Sequence, residues 1–220
     1  MIKLTPRLQT LYDLTPHCCS AVDVGCDHGY LICRLLADGV IQKGYASDIS
    51  APSLQKAIDF AAAQGLAITA VCTDGLKDVP ETDTVLIAGM GGILISEILK
   101  SCSWVKQPGK TLVLQPMSHP HVLRNFLYQN GFEITKEVAV TEGRRSYTVM
   151  LCTFTGGKKT ITEFESYIGG LKGQNDPAKI AYVNKILYQL QKQREGLSLQ
   201  GEDTARIDAL ITGLLAESGE

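Results

Sequence analysis

The spacing of apolar and polar positions changes twice along the chain. Short runs of β-branched and other apolar residues stand at Ser20–Gly25, Lys43–Asp48, Ile68–Cys72, Thr84–Ala88, Thr111–Gln115, Phe132–Val140 and Tyr147–Phe154. Runs of this length read as strands. Between them lie segments with helical spacing, as in Ala51–Gln64 and Ile93–Cys102. Strand–helix alternation predicts βαβ units and a parallel sheet. The last two runs are separated only by Thr141–Ser146, too short for a crossover helix, so they are expected to pair as an antiparallel hairpin at the sheet's edge.

After Phe154 the strand pattern stops. Gly156-Gly157-Lys158-Lys159 reads as a junction. Ile180, Val183, Leu187 and Leu190 then form a short heptad seam. The stretch from Gly196 to Gly201 is expected to break it, and Ile207, Leu210, Ile211, Leu214 and Leu215 make a second stripe. Two helices with a Gly-containing connection predict an antiparallel helical hairpin. The expected organisation is therefore an α/β domain over residues 1–157 and a small helical, coiled-coil-like domain over 158–220. Packing alone accounts for both stripes.

Composition narrows the class. Of 220 residues, 45% are apolar, enough for a real core. No uncharged apolar run reaches the length of a membrane span, and Met1–Arg7 lacks the apolar stretch of a signal peptide, so a cytoplasmic protein is expected. Seven cysteines contain no C-x-x-C pair, which argues for buried free thiols in a reducing compartment. The net charge of −2 does not announce a nucleic-acid binder. Its distribution is more informative: between Lys136 and Arg194 there are ten Lys/Arg against five Asp/Glu. This can form a basic face on an acidic body, or only a solvated surface.

The chemistry-bearing residues cluster at predicted strand ends. The first strand ends in Asp23-Val24-Gly25-Cys26-Asp27-His28-Gly29-Tyr30 and a helix follows. A dinucleotide fingerprint would need glycine at 25, 27 and 30. Asp27 faces a helix start, where it would repel a pyrophosphate and suit a sulfonium and an α-amino group. The loop therefore favours S-adenosylmethionine over NAD. Asp48, with Ile49 beside it, ends the second strand and can accept ribose hydroxyls; helix capping is its alternative. Asp74-Gly75 ends the third, where the acid can accept from an adenine amino group; a plain Asp-Gly turn competes. Ala88-Gly89-Met90-Gly91-Gly92 ends the fourth, with three glycines in four residues, and reads as a wall of the cofactor and target pocket or as a tight turn. His119 and His121 lack an evident third ligand, so no metal is expected.

With these residues in hand, the chain resembles the bacterial tRNA (adenine-22-N1)-methyltransferase family, TrmK, over nearly its whole length. The likeness rests on Leu4, Arg7 and Leu8, Asp-x-Gly-x-Asp-His at 23–28 with Tyr30-Leu31, Asp48 with Pro52, Asp74-Gly75-Leu76, Gly89-Met90-Gly91-Gly92, Gln115-Pro116, Arg124, Tyr147 and the helical tail. Cys26 and Gly29 replace small residues, Ser and Ala, common in the family. Met117 stands where the family often has Asn, which removes a side-chain contact there.

The resemblance implies a Rossmann-like class I methyltransferase sheet of order 3-2-1-4-5-7-6. It also implies S-adenosylmethionine-dependent methylation of adenine N1 at position 22, in the D-arm of tRNA. Adenine N1 is already nucleophilic, so alignment supplies much of the catalysis. Asp27 is the candidate for stabilising the charge left on the base, with cofactor binding as its alternative role. Cofactor contacts are expected at Asp23, Gly25, Asp27, His28, Asp48, Ile49, Asp74, Gly75, Ala88, Gly89, Met90 and Gly91. Arg7, Arg144, Arg145, Lys158 and Lys159 are the candidates for tRNA backbone contacts, in a monomer. Two other readings remain at this stage: a methyltransferase for a small molecule or protein, and a non-catalytic RNA-binding module.

Overall fold

The computed structural model describes residues 2–218. A short helix, α1 (Pro6–Leu14), precedes five parallel strands with their helices: β1 (Cys18–Val24), α2 (Tyr30–Ala37), β2 (Ile41–Asp48), α3 (Ala51–Ala63), β3 (Thr69–Cys72), β4 (Thr84–Gly91), α4 (Gly92–Ser101), β5 (Thr111–Ser118) and α5 (Pro120–Gln129). The hairpin β6 (Phe132–Glu142) and β7 (Arg145–Phe154) completes one seven-stranded sheet of order β3-β2-β1-β4-β5-β7-β6. This is the strand order that the resemblance implies. β7 runs antiparallel to both β5 and β6.

The central strands carry apolar residues on both faces because helices cover both sides; Asp23 of β1 and Gln115 of β5 are buried polar exceptions. Val22, Val24, Val85, Ile87, Leu112 and Leu114 point to the side of α4 and α5. Their alternates Ala21, Leu86 and Val113 point to the side of α1 and α2. Strand ends extend beyond the predicted runs: β4 reaches Gly91 and β5 reaches Ser118. Cys26, Cys33, Cys102 and Cys152 are buried as free thiols, and burial raises the pKa of each. Cys72, which sits in an apolar run, is instead exposed because β3 forms the sheet's outer edge.

The C-terminal segment forms three helices: α6 (Glu163–Ile168), α7 (Pro177–Leu199) and α8 (Ala205–Leu215). Gly196 does not break the seam. It lies inside α7, where Leu197 still packs on the C-terminal core and carries the helix to Leu199. The seam residues Val183, Leu187 and Leu190 bury against Ile207, Leu210 and Leu214 of α8 and against Ala139 of β6. α6 was not anticipated, although Thr162-x-x-Glu165 is a capping-box signature, and both reciprocal hydrogen bonds are present.

A buried ion pair ties this segment to the sheet. Arg124 on α5 and Glu137 on β6 are both fully inaccessible, with Nη2 2.6 Å from Oε1. All five guanidinium donors are used: Nε and Nη2 on Glu137, Nη1 on the carbonyls of Ser166 and Tyr167, and Nη2 on the Tyr182 hydroxyl. Glu137 also accepts from Thr148 Oγ1 and from the Gly170 amide. The chain passes so close that a Cβ at Gly169 would stand 2.3 Å from Arg124 Nε and from Glu137 Oε2.

Candidate active site

A cleft of about 280 Å³ opens at the carboxyl ends of β1 and β4, where parallel α/β sheets bind their ligands. Asp23, Gly25, Cys26, Asp27, His28 and Tyr30 line it from β1 and the turn into α2. Ala88 and Gly89 line it from β4, and Arg7 from α1. Asp27 has a left-handed backbone, φ +47°. This uncommon conformation for a residue with a side chain turns the acid out at the lip, where its Oδ2 lies 2.7 Å from His28 Nδ1. The His28 ring stacks on Tyr30, which meets Phe60 edge-on. His28 and Tyr30 form one wall of the cleft, with Phe60 supporting Tyr30.

Asp23 lies at the floor, 6% exposed. Burial pushes its carboxyl up to about 7, Arg7 pulls it back, and Asp48 pushes it further up. Arg7 is fixed from two sides: Nη1 donates to Gln115 Oε1 at 2.9 Å, and its amide donates to Glu142. Gln115, fully buried, accepts also from the Gly89 amide and donates to Pro116 O. Its bonds hold β4 at the irregular pairing around Ala88–Gly91, a bulge of the kind that re-aims a strand beside a site.

The expected residues separate into two groups. Asp23, Gly25, Asp27, His28, Ala88 and Gly89 line the cleft. Asp48, Ile49, Asp74 and Gly75 lie farther along the same strand-end edge. Asp48 Oδ1 accepts from the Ser50 amide ahead of α3, but the helix is capped by Ser50 itself, whose Oγ accepts from the Ser53 amide. Ile49 is 74% exposed and Asp74 is exposed. Gly75 packs on Ile98 and takes the turn conformation, φ +62°. Met90 folds back over Gly25, and Gly91 faces Ser118.

Gly92 has a packing reason of its own. A Cβ there would meet the His119 carbonyl oxygen at 2.4 Å, so this glycine admits the loop after β5. Gly29, φ +67°, has a Cβ position 2.9 Å from Ala57, so the Gly-for-Ala exchange is not neutral in this chain. Met117 accepts from Gln115 Nε2 through sulfur at 3.6 Å, in place of an amide contact.

The basic candidates are also divided. Arg144 and Arg145 are exposed at the β6–β7 turn, which pairing with β5 places on the cleft's edge of the sheet. Lys158 and Lys159 follow the far end of β7, and Lys159 lies over the Tyr128 ring at the opposite edge. Arg7 is inside the cleft. Sequence reasoning missed Tyr30 as a wall residue and Arg7 as a cleft residue; helix-to-sheet packing positions them, and no local pattern announces it. No group of three His, Cys, Asp or Glu among the described residues is arranged to hold a metal ion. No helix among them is long and apolar enough to cross a membrane.

Residues 4–150 match the family described as a methyltransferase domain. The Bacillus subtilis tRNA (adenine(22)-N(1))-methyltransferase is 31% identical over 154 residues, covering 68% of this chain and 65% of that protein. The crystal structure of the B. subtilis m1A22 tRNA methyltransferase TrmK superposes with a TM-score of 0.80 at 26% identity, covering 99% of this chain and 97% of that one. The chain belongs to the TrmK family of methyltransferases. A Streptococcus agalactiae protein of the NADB-Rossmann superfamily has the same fold, with a TM-score of 0.86 at 28% identity and coverage of 99% and 98%. In sequence the TrmK match spans just under two thirds of the B. subtilis protein; in structure the likeness includes the helical tail.

Proposed function

We propose that this protein methylates N1 of adenine 22 in tRNA, with S-adenosylmethionine as donor, as a cytoplasmic monomer. The observation that carries the cofactor half is the charge pattern of the cleft: two acids, Asp23 and Asp27, and one guanidinium, Arg7, line it. A ligand whose head group has a carboxylate, an ammonium and a sulfonium matches that donor set. A pyrophosphate does not. Bound S-adenosylmethionine supplies an electrophilic methyl group on a sulfonium centre. Arg7 and Asp23 hold the amino-acid head, Asp48 accepts ribose hydroxyls, and Asp74 with the exposed Ile49 side chain borders the adenine.

The depth of the two acids divides their roles. Asp23, at the floor, takes the ammonium. Asp27, with a side chain 65% exposed beside His28, is free to face the substrate. Its carboxylate stabilises the positive charge that arises on the adenine as N1 is alkylated. N1 is on the Watson–Crick edge, so the target nucleotide leaves its stack to reach the cleft. Arg144 and Arg145, on the same sheet edge, contact the tRNA backbone. Lys158 and Lys159 lie at the other end and are the weaker candidates. Tritiated S-adenosylmethionine and two transcripts, with adenine or guanine at position 22, test the reading. Label should enter only the adenine transcript; equal labelling refutes the assignment.

A further inference from the structure

A second cavity, of about 300 Å³, opens between the loop after β5 and the side of α7. None of the groups assigned to S-adenosylmethionine or to the target adenine lines it. Its walls are aromatic. Tyr147 and Tyr182 close the buried side, and His121 stacks on Tyr167 with ring centroids 4.5 Å apart and planes within 2°. Burial, then His119 and Arg124, drives His121 down to about 4, so near neutral pH its ring offers one donor and one acceptor. Gln189, exposed on α7, adds an amide at the mouth.

Lys185 stands in the same wall. Its Nζ donates to Ser146 O at 2.8 Å and lies 5.3 Å over the Tyr147 ring. Burial, then Arg145, disfavours the charge on Lys185; Arg145 directly precedes Ser146, whose carbonyl Lys185 bonds, so a second cation stands near this edge of the aromatic cavity. Aromatic faces with amide edges and neighbouring cations suit an unstacked nucleobase with its phosphate. The cavity also adjoins the cofactor cleft through the chain itself. Gln115 holds Arg7 and Gly89 in the cleft, and the next three residues, Pro116–Ser118, form the cavity wall.

We propose that this cavity binds a second nucleobase of the tRNA, a sequence neighbour of the methylated adenine, turned out of its own stack. The inference rests on the tRNA reading above. It makes α7 part of the substrate site and gives the end of β5 a face toward each nucleotide.

The test uses the full chain and tRNA transcripts bearing 2-aminopurine at position 21 or 23. Binding to the unaltered protein should quench fluorescence at one of these positions. Gln189→Trp, on the exposed side of α7, fills the cavity; it should abolish that quench and raise KM for tRNA about tenfold, the scale of one lost base–aromatic stack. kcat and adenosylhomocysteine affinity should not move. His121→Ala should act in the same direction with an unchanged thermal melt. If adenine 22 is methylated but no quench appears and Gln189→Trp leaves KM alone, the cavity inference falls while the methyltransferase reading stands. If the unaltered protein does not distinguish adenine from guanine at position 22, both fall.

Discussion

Asp23 should make cofactor affinity pH-dependent, with a sign that follows from its position. Its carboxyl ordinarily titrates at 3.8, and burial holds it at about 7. An ammonium bound against it favours the ionised form, so binding expels a proton. With a pKa of about 7, about one tenth of free sites are ionised at pH 6 and about half at pH 7. Apparent affinity scales with the competent fraction, and should rise about fivefold across that unit. An α-amino group titrates near 7.7–8.0, so the gain levels off above pH 7.5. Calorimetry of adenosylhomocysteine binding at pH 7, in two buffers of different ionisation enthalpy, should reveal release of about half a proton. Asp23→Asn should bind more weakly and lose the slope between pH 6 and 7. Proton uptake, or an unchanged slope in Asp23→Asn, refutes the assignment of Asp23 to the ammonium. The ligand-free fold bears the converse cost. The raised carboxyl stabilises folding fully below about pH 3.8, and that contribution is lost as pH rises through 7. The gap corresponds to on the order of 4 kcal/mol. Asp23→Asn should therefore be more stable than the parent at pH 8 in urea unfolding.

Three other outcomes are expected. Asp27→Ala should lower kcat for tRNA methylation by about a hundredfold or more, the scale of a lost preorganised electrostatic contact, with adenosylhomocysteine binding retained; normal turnover would remove Asp27 from the reaction. Arg124→Met should destabilise the fold by about 3–5 kcal/mol, because Glu137 keeps its buried charge without its partner, and urea midpoints measure this. Replacing Arg144 and Arg145 together with Gln should flatten the salt dependence of tRNA binding by about one to two units of logarithmic slope; an unchanged slope would move the interface elsewhere.

The sheet was legible because its central strands are covered on both sides and therefore read as short, mostly apolar runs. The parallel portion followed from strand–helix alternation and the hairpin from the six-residue gap at Thr141–Ser146. Strand order came through resemblance, since periodicity carries no information about neighbours. At the site, Asp23 and Asp27 were visible as a motif, but their difference in depth was not, because burial depends on how α1 closes over the sheet. Arg7 shows the same limit. Its charge suggested a surface contact, whereas Leu11 and Leu14 anchor α1 in the core and turn Arg7 inward to Gln115. Gly196 misled for a related reason: local propensity favours a break, but helix packing on both sides of it prevails. The Arg124–Glu137 cluster joins groups up to 58 residues apart, beyond any local pattern.

That cluster has a consequence for how the molecule can vary. Three of the five Arg124 donors end on Ser166, Tyr167 and Tyr182, all in the helical tail. A chain cut after Gly157 would keep the guanidinium and lose those acceptors, leaving a buried cation half-satisfied. The tail is thus not a removable handle. Its placement against the sheet is fixed by a planar, fork-shaped group that bonds both parts at once. Lengthening the connection at Gly156–Thr162 should therefore alter that placement little, because the tail is clamped elsewhere.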